Sequence, residues 1–187
     1  MGVGSVGGVE SYAALLRGIM PTNPNMKNEK LRGVFDGLGF DRVASVLSSG
    51  NIVFRTGDDP ADLEDRIQQG LVTELGIPGG TIVRSHAVLR ALLDRDPFEG
   101  LPHERGSYLT VTFFKHEMRD ADTTAFTDDP LTRVIGYDPE ARAFLTVIDN
   151  STGATPDFMA RLDKTYGKDI TTRTWLTVQR VVKKIEG

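Results

Sequence analysis

The sequence predicts an α+β fold of two subdomains, in which helices pack on one face of antiparallel sheets. Strand-like and helix-like runs follow one another over residues 11–84 in the order βαββαβ, the split βαβ arrangement. A second set of α+β segments of similar size occupies residues 85–187. Domains of roughly 100–150 residues are typical, so a chain of 187 residues is one large domain or two small ones. Residues 1–10 are glycine-rich and are predicted to form a flexible leader.

The first half begins with a short apolar strand over residues 12–17, which Gly18 ends. Pro21 and Pro24 exclude regular structure from the loop that follows. Asn25 is then predicted to cap a helix, because asparagine accepts hydrogen bonds from first-turn N–H groups. The apolar side chains of this helix recur at i, i+3, i+4 and i+7 and are Leu31, Val34, Phe35 and Leu38.

A hairpin and a second helix complete this half. Two β-rich runs, residues 42–47 and 51–55, are separated by residues 48–50, whose sequence Ser-Ser-Gly is typical of a turn. The pair Asp59-Pro60 is a strong helix start, with a cap followed by proline at the first helical position. The apolar stripe of this helix is Leu63, Ile67, Leu71 and Leu75. A short strand over residues 81–84 closes the series.

The second half is predicted from the same signals. Ser85 caps a short helix, and residues 108–114 form a strand because β-branched and aromatic side chains dominate them. Residues 115–129 are polar and without period, which predicts an exposed loop. Residues 132–137 and 143–148 form a second hairpin.

Two helices are expected after this hairpin. Thr155 is predicted to cap the first, whose apolar side chains are Phe158, Met159, Leu162 and Tyr166. The last helix has its apolar side chains at 3-4-3 spacing: Trp175, Val178, Val182 and Ile185.

Composition and charge exclude several classes of protein. The absence of cysteine excludes disulfides, a thiol nucleophile, cysteine-bound zinc and iron–sulfur clusters. His86, His103 and His116 are too scattered for a recognisable metal motif, so no metal or cofactor is expected. The net charge of −4 argues against a general nucleic-acid binder, although residues 161–187 are locally basic. No apolar stretch approaches the ~20 residues that a membrane-spanning helix needs. A cytoplasmic protein is the expectation.

Four sequence strings resemble the bacterial family called domain of unknown function 1697. They are YAALLRGI at residues 12–19, LGF at 38–40, SGNIVF at 49–54 and TTRTWLTV at 171–178. The resemblance implies a cytosolic protein of two ferredoxin-like subdomains, and it implies no activity, cofactor or catalytic residue. Residues 20–25, MPTNPN, depart from the glycine-built stretch of many relatives, so a backbone anion nest in that loop is not expected.

Strand order brings several polar residues to one edge of the first sheet. In a βαββαβ sheet, the end of strand one, the start of helix one and the hairpin between strands two and three lie together. A helix amino end there offers N–H groups and about half a positive charge. We therefore expect a pocket for a phosphate or carboxylate. The candidate ligand-binding residues at this edge are Arg17, Gly18, Asn25, Lys27, Ser49, Gly50 and Asn51.

Structural explanations of the same residues stay open. Ser49, Gly50 and Asn51 also suit an ordinary turn, in which the glycine supplies a positive φ. Arg17 is equally suited to pairing with a nearby carboxylate. Arg173, expected in the first turn of the last helix, opposes the helix dipole there, so it is predicted to face either an interdomain carboxylate or a bound anion.

Three functions remain open at this point. The first is a binding protein for a small anionic ligand at the sheet edge. The second is a module for single-stranded nucleic acid, with Tyr12 and Phe54 as the candidate stacking aromatics. The third is an enzyme that uses Arg17 and Ser49, although no general base is identifiable. The sequence does not indicate an oligomeric state.

Overall fold

The computed structural model describes residues 8–118, 128–154 and 156–187. The strands of this part of the chain are β1 (Glu10–Leu16), β2 (Asp41–Val46), β3 (Asn51–Thr56), β4 (Thr81–Ser85), β5 (Tyr108–Phe114), β6 (Thr132–Asp138), β7 (Ala143–Ile148) and β8 (Ile170–Thr174). Its α-helices are α1 (Asn28–Gly37), α2 (Pro60–Leu75), α3 (His86–Asp94), α4 (Asp157–Tyr166) and α5 (Trp175–Glu186).

The chain divides into two compact units, each built on one four-stranded antiparallel sheet. The first unit comprises Met1–His86 together with Lys183–Gly187, and the second comprises Ala87–Val182. The strand orders are β2-β3-β1-β4 and β6-β7-β5-β8, so the two sheets have the same connectivity. The predicted α+β class with two antiparallel sheets is confirmed. The predicted boundary between residues 84 and 85 lies close to the end of the first segment.

Helices α1 and α2 cover one face of the first sheet. Alternate residues of β1, namely Tyr12, Ala14 and Leu16, belong to the same buried cluster as the apolar stripes of both helices. The ring of Phe54 stacks on those of Phe40, with centroids 4.6 Å apart, and of Tyr12, at 5.7 Å. Since a fully buried phenylalanine contributes roughly 1.5–3 kcal/mol, these rings are a main source of this unit's stability.

The two helices of the first unit begin in different ways. Asp59 caps α2 as predicted, because its Oδ1 accepts a hydrogen bond from Ala61 N at 3.0 Å. The expectation that Asn25 caps α1 is wrong. Residues Pro24–Met26 form a separate 3-10 turn that Asn23 caps, and the extended backbone of Lys27 interrupts the chain before α1 starts.

A smaller aromatic core holds the second unit together. Phe114, Phe144 and Phe158 pack with Leu162 and Ile170, which joins α4 to the sheet. Thr155, the predicted cap of α4, and residues 119–127 of the predicted exposed loop lie outside the described residues.

The amino end of α4 is held by a buried aspartate. Asp129 Oδ2 accepts hydrogen bonds from Phe158 N and Thr132 Oγ1, both at 3.0 Å, and Oδ1 accepts one from Leu131 N at 2.9 Å. Burial alone works to raise the pKa of this carboxyl, but the three donors and the nearby Arg161 outweigh it and leave the pKa below its ordinary value.

The start of the last helix differs from the expectation. Residues Ile170–Thr174 form the edge strand β8, so Arg173 lies in a strand and not in the first turn of α5. The β-branched residues that precede Arg173 favour a strand, and pairing with β5 completes it. A threonine does cap α5, since Thr174 Oγ1 accepts a hydrogen bond from Thr177 N at 3.2 Å.

No helix in the described ranges is both long enough and apolar enough to cross a membrane.

Candidate functional site

The backbone after β1 is held between two turns of the first unit. Leu16 N donates a hydrogen bond to Gly50 O at 2.8 Å, and Arg17 N donates one to Gly80 O at 2.9 Å. The chain passes so close to Gly79 that a Cβ atom there would lie 2.1 Å from Arg17 O. These contacts fix the position of Arg17, whose side chain is half-buried, at the edge of the sheet.

The hairpin turn between β2 and β3 uses its own polar side chains. The fully buried Asn51 donates from Nδ2 to Val46 O and to Ser49 Oγ, both at 3.0 Å. Gly50 between them has φ +83°, a backbone conformation that favours glycine. These are the contacts expected of turn chemistry. Asn51 therefore fixes the shape of the turn and does not present its amide to solvent.

The amino end of α1 lies against this turn. Asn28 Nδ2 donates to Leu47 O at 2.7 Å, which ties the first helical residue to the hairpin. The preceding residue, Lys27, is exposed and its side chain makes no capping hydrogen bond. Asn28 Oδ1 is buried and has no hydrogen-bond partner among the described residues. Asn25 is exposed and accepts a hydrogen bond from Lys30 Nζ at 3.1 Å.

The structure thus brings together most of the predicted site residues. Contacts between β1, the hairpin and α1 place one set at one edge of the first sheet, which we call the corner: Arg17, Gly18, Lys27, Ser49, Gly50 and Asn51. Asn25 lies in the 3-10 turn before α1. Arg173 belongs to the second unit. Asn28 was not anticipated, because its bond to Leu47 joins residues that are distant in sequence.

Arg173 is a largely buried cation on β8. Its Nη1 donates to Thr171 Oγ1 at 2.7 Å and to Thr172 O at 2.9 Å. Burial lowers the pKa of Arg173 to about 10, since desolvation disfavours the charged form. The guanidinium is therefore still protonated at neutral pH.

Arg84 occupies the equivalent place in the first unit, and it was not among the residues predicted to form a site. It lies opposite Ala13 of β1 as Arg173 lies opposite Val111 of β5, and its Nη1 donates to Val83 O at 2.8 Å. A signal was present in the sequence. The segments TIVRS and ITTRT each have arginine at the fourth position and each run directly into a helix.

The described part of the chain has no group of three histidine, aspartate or glutamate side chains placed to share a metal ion.

Comparisons with known proteins give a family and a fold. A family model described as "Protein of unknown function (DUF1697)" matches residues 9–134. The chain is similar in structure to the conserved bacterial protein SP0830 from Streptococcus pneumoniae, with a TM-score of 0.72 and 20% sequence identity. That match covers 95% of this chain and 99% of the other. No curated protein matches. At this level of identity, the structural likeness establishes the fold alone.

Proposed function

Since the chain belongs to the DUF1697 family, whose description gives no function, we propose one from its structure: the corner binds a small ligand with a phosphate or carboxylate group. The observation that carries the proposal is the amino end of α1, which has no side-chain cap and lies against the hairpin. The first N–H groups of a helix have no partner within it, and they attract anions.

The charges around this helix end support an anion. Lys27 directly precedes α1 and is exposed, and Arg17 is held at the same sheet edge by its backbone hydrogen bond to Gly80. Cations add to the partial positive charge of the helix end, which by itself is worth about 0.3–1 kcal/mol to a nearby anion. Glu29, in the first turn of α1, opposes an anion, so binding depends on the two cations outweighing it.

A second observation that supports the proposal is the unsatisfied side-chain oxygen of Asn28. A buried oxygen without a hydrogen-bond donor costs about 1–3 kcal/mol, and Asn28 Oδ1 is such an atom among the described residues. Buried polar atoms without a hydrogen-bond partner are more often found at functional sites than elsewhere. A small rearrangement of the Asn28 side chain on binding would give the oxygen a donor, for example a hydroxyl of a hydrogen phosphate.

Titration of the ¹⁵N-labelled chain with inorganic phosphate and, separately, with acetate tests the proposal. We expect shifts in the amide signals of Gly18, Asn28 and Glu29 in at least one titration, and the two anions separate phosphate from carboxylate recognition. Lys27→Gln should weaken binding about two- to fivefold, the range expected for one charge at a helix end. Glu29→Gln should strengthen it.

The matched control is Lys164→Gln, which removes the same charge from an exposed position in the last turn of α4. Equal effects of Lys27→Gln and Lys164→Gln would show that only overall charge matters, and the corner would be rejected. An absence of shifts at the corner with both anions would also reject it.

The two alternatives have less support. The aromatics of the nucleic-acid hypothesis, Tyr12 and Phe54, are buried in the core beneath α1 and α2, so they do not offer their rings to bases. The enzyme hypothesis involved Arg17 and Ser49, and the Ser49 hydroxyl accepts a hydrogen bond from Asn51 as part of the hairpin turn. A cytoplasmic location remains part of the proposal, to be tested by cell fractionation.

A further inference from the structure

The other face of the first sheet holds a pocket that the corner does not include. Its volume is about 190 Å³, and it is an open pocket lined by strands β1 to β3 and the last turn of α5, all within the first unit. The register places Ala44 opposite Val53, on the face away from α1 and α2. The residues that matter most to its chemistry are Ser11, Arg42, Ala44, Arg55, Lys184 and Ile185, and we call it the basic pocket.

Three cations that line the basic pocket form no ion pair with any described residue. Within the described ranges, the side chains of Arg42, Arg55 and Lys184 make no hydrogen bond and no ion pair. Other surface arginines do find carboxylates, as Arg90 does with Asp94 and Arg95 with Asp138. Three like charges lining one small pocket repel one another, and an anion bound between them removes that repulsion.

The nearest acidic residues in sequence do not supply this anion. Asp41 lies opposite Arg55 across the β2–β3 pair but forms no ion pair with it. Glu186, in the last turn of α5, lies with its Oε1 atom 2.8 Å from His86 Nε2, within hydrogen-bonding distance. Gly187, the last residue of the sequence, also lines the pocket, but among the described residues its carboxylate forms no ion pair with the three cations. Their charge is therefore available to an anionic ligand.

The backbone of Arg42 is unusual for a residue with a side chain. Its φ is +49°, and it lies in the irregular register between Asp41 and Ala44. A β-bulge of this kind bends the strand and redirects a side chain. Here the bulge directs the Arg42 side chain towards the pocket, which it lines. It does so although the left-handed backbone conformation is unfavourable for residues with a Cβ atom.

We propose that the basic pocket binds the phosphate group of a small molecule, at a site separate from the corner. Arginine recognises phosphate through paired N–H donors, and lysine adds a compact charge. Pockets for whole drug-sized ligands measure roughly 300–1,000 Å³, so a volume of about 190 Å³ fits a phosphate group and little more. Ser11 adds a hydroxyl, and Ala44 and Ile185 supply apolar walls for the carbon next to a phosphomonoester.

Calorimetric titration of the full chain tests this proposal, with inorganic phosphate, glycerol phosphate and sulfate as separate ligands. We expect phosphate or glycerol phosphate to bind more tightly than sulfate, and amide signals of Ser11 and Ala44 to shift. Arg55→Gln and Lys184→Gln should each weaken binding at least about tenfold, the loss expected for one charge-assisted hydrogen bond. The control is Lys183→Gln, which removes the same charge from an exposed neighbour that does not line the pocket, and it should bind within about twofold of the parent.

Arg42→Gly separates binding from folding. Glycine suits a φ of +49°, so this variant should keep the thermal midpoint of the parent while it loses affinity. No phosphate binding by the parent, or equal effects of Lys183→Gln and Lys184→Gln, would overturn the proposal. If Lys27→Gln weakens binding and Lys184→Gln does not, the anion binds at the corner and the basic pocket is refuted. The reverse result supports the pocket and refutes the corner.

Discussion

Replacement of Gly50 by alanine tests the geometry that forms the corner. Gly50 joins the hairpin to β1, since its carbonyl accepts the hydrogen bond from Leu16 N. An added Cβ would lie 2.6 Å from Ile19 Cγ1, 3.0 Å from Leu16 Cβ and 3.1 Å from Leu16 O. The isoleucine atom can move, but the Leu16 atoms belong to β1 and cannot move without disturbing the strand.

Two effects add to the expected loss of stability. The φ of +83° at Gly50 lies in the left-handed region, which costs a residue with a Cβ about 1–2 kcal/mol. Overpacking against β1 adds about 1–3 kcal/mol. We therefore expect Gly50→Ala to lower the free energy of unfolding by about 2–5 kcal/mol. For a chain of this length, a loss of about 1 kcal/mol in the free energy of unfolding lowers the thermal midpoint by about 2–4 °C. The thermal midpoint of Gly50→Ala should therefore fall by at least about 4 °C.

Gly18→Ala provides the matched comparison for the thermal and urea unfolding measurements. Its φ is +76°, but nothing lies within 4 Å of an added Cβ, so only the backbone term applies. The loss for Gly18→Ala should be about 1–2 kcal/mol. Equal losses in the two variants, or a smaller loss for Gly50→Ala, would refute the close approach of the hairpin to β1.

Two further predictions concern stability and its dependence on pH. Asp129→Ala removes the acceptor of three hydrogen bonds and should cost about 3 kcal/mol in urea unfolding. The pKa of Asp129 is lowered in the folded state. Its contribution to the free energy of unfolding is therefore complete above pH 3.8, the ordinary pKa, and is lost as the pH falls through the lower pKa of the folded state. Asp129→Asn should therefore flatten the acid side of the stability curve. Burial raises the pKa of Tyr12 to about 12, and the negative charges of Glu10 and Asp59 add to this effect. The contribution of Tyr12 to the free energy of unfolding should therefore be complete below about pH 10, the ordinary pKa of tyrosine, and decline as the pH rises towards 12. Tyr12→Phe should remove that alkaline decline.

Elements defined by local signals were predictable from the sequence. Helix α2 starts at Pro60 after the Asp59 cap and ends before Gly76, whose φ of +65° closes the last turn. Each of these features acts within one helical turn, so neighbouring residues determine it. The hairpin at residues 48–50 was predictable for the same reason, because turn residues and flanking β-rich runs are contiguous.

Features that depend on distant residues were not predictable. Helix α1 begins at Asn28 and not after Asn25, and the contact that holds this start is the long-range hydrogen bond from Asn28 to Leu47 of the hairpin. Strand β8 was missed because its β-branched residues lead directly into a helix, and the pairing with β5 that fixes it as a strand joins residues about 60 positions apart. The basic pocket was missed because Arg55 and Lys184, which are far apart in sequence, line one pocket only in the folded chain. The sequence signal was a basic carboxyl end of α5, which is also expected from the helix dipole alone.

Each unit places an arginine at the equivalent point of its own sheet. Arg84 is only 3% exposed, and burial also lowers the pKa of Arg173, so both guanidinium groups have lost most of their hydration. Burying a charge costs several kcal/mol, and apolar residues at such positions often stabilise a protein more. Packing alone therefore does not account for arginine at both places. The repeated register, the shared bond to the preceding carbonyl and the helix that follows instead indicate one structural pattern used twice.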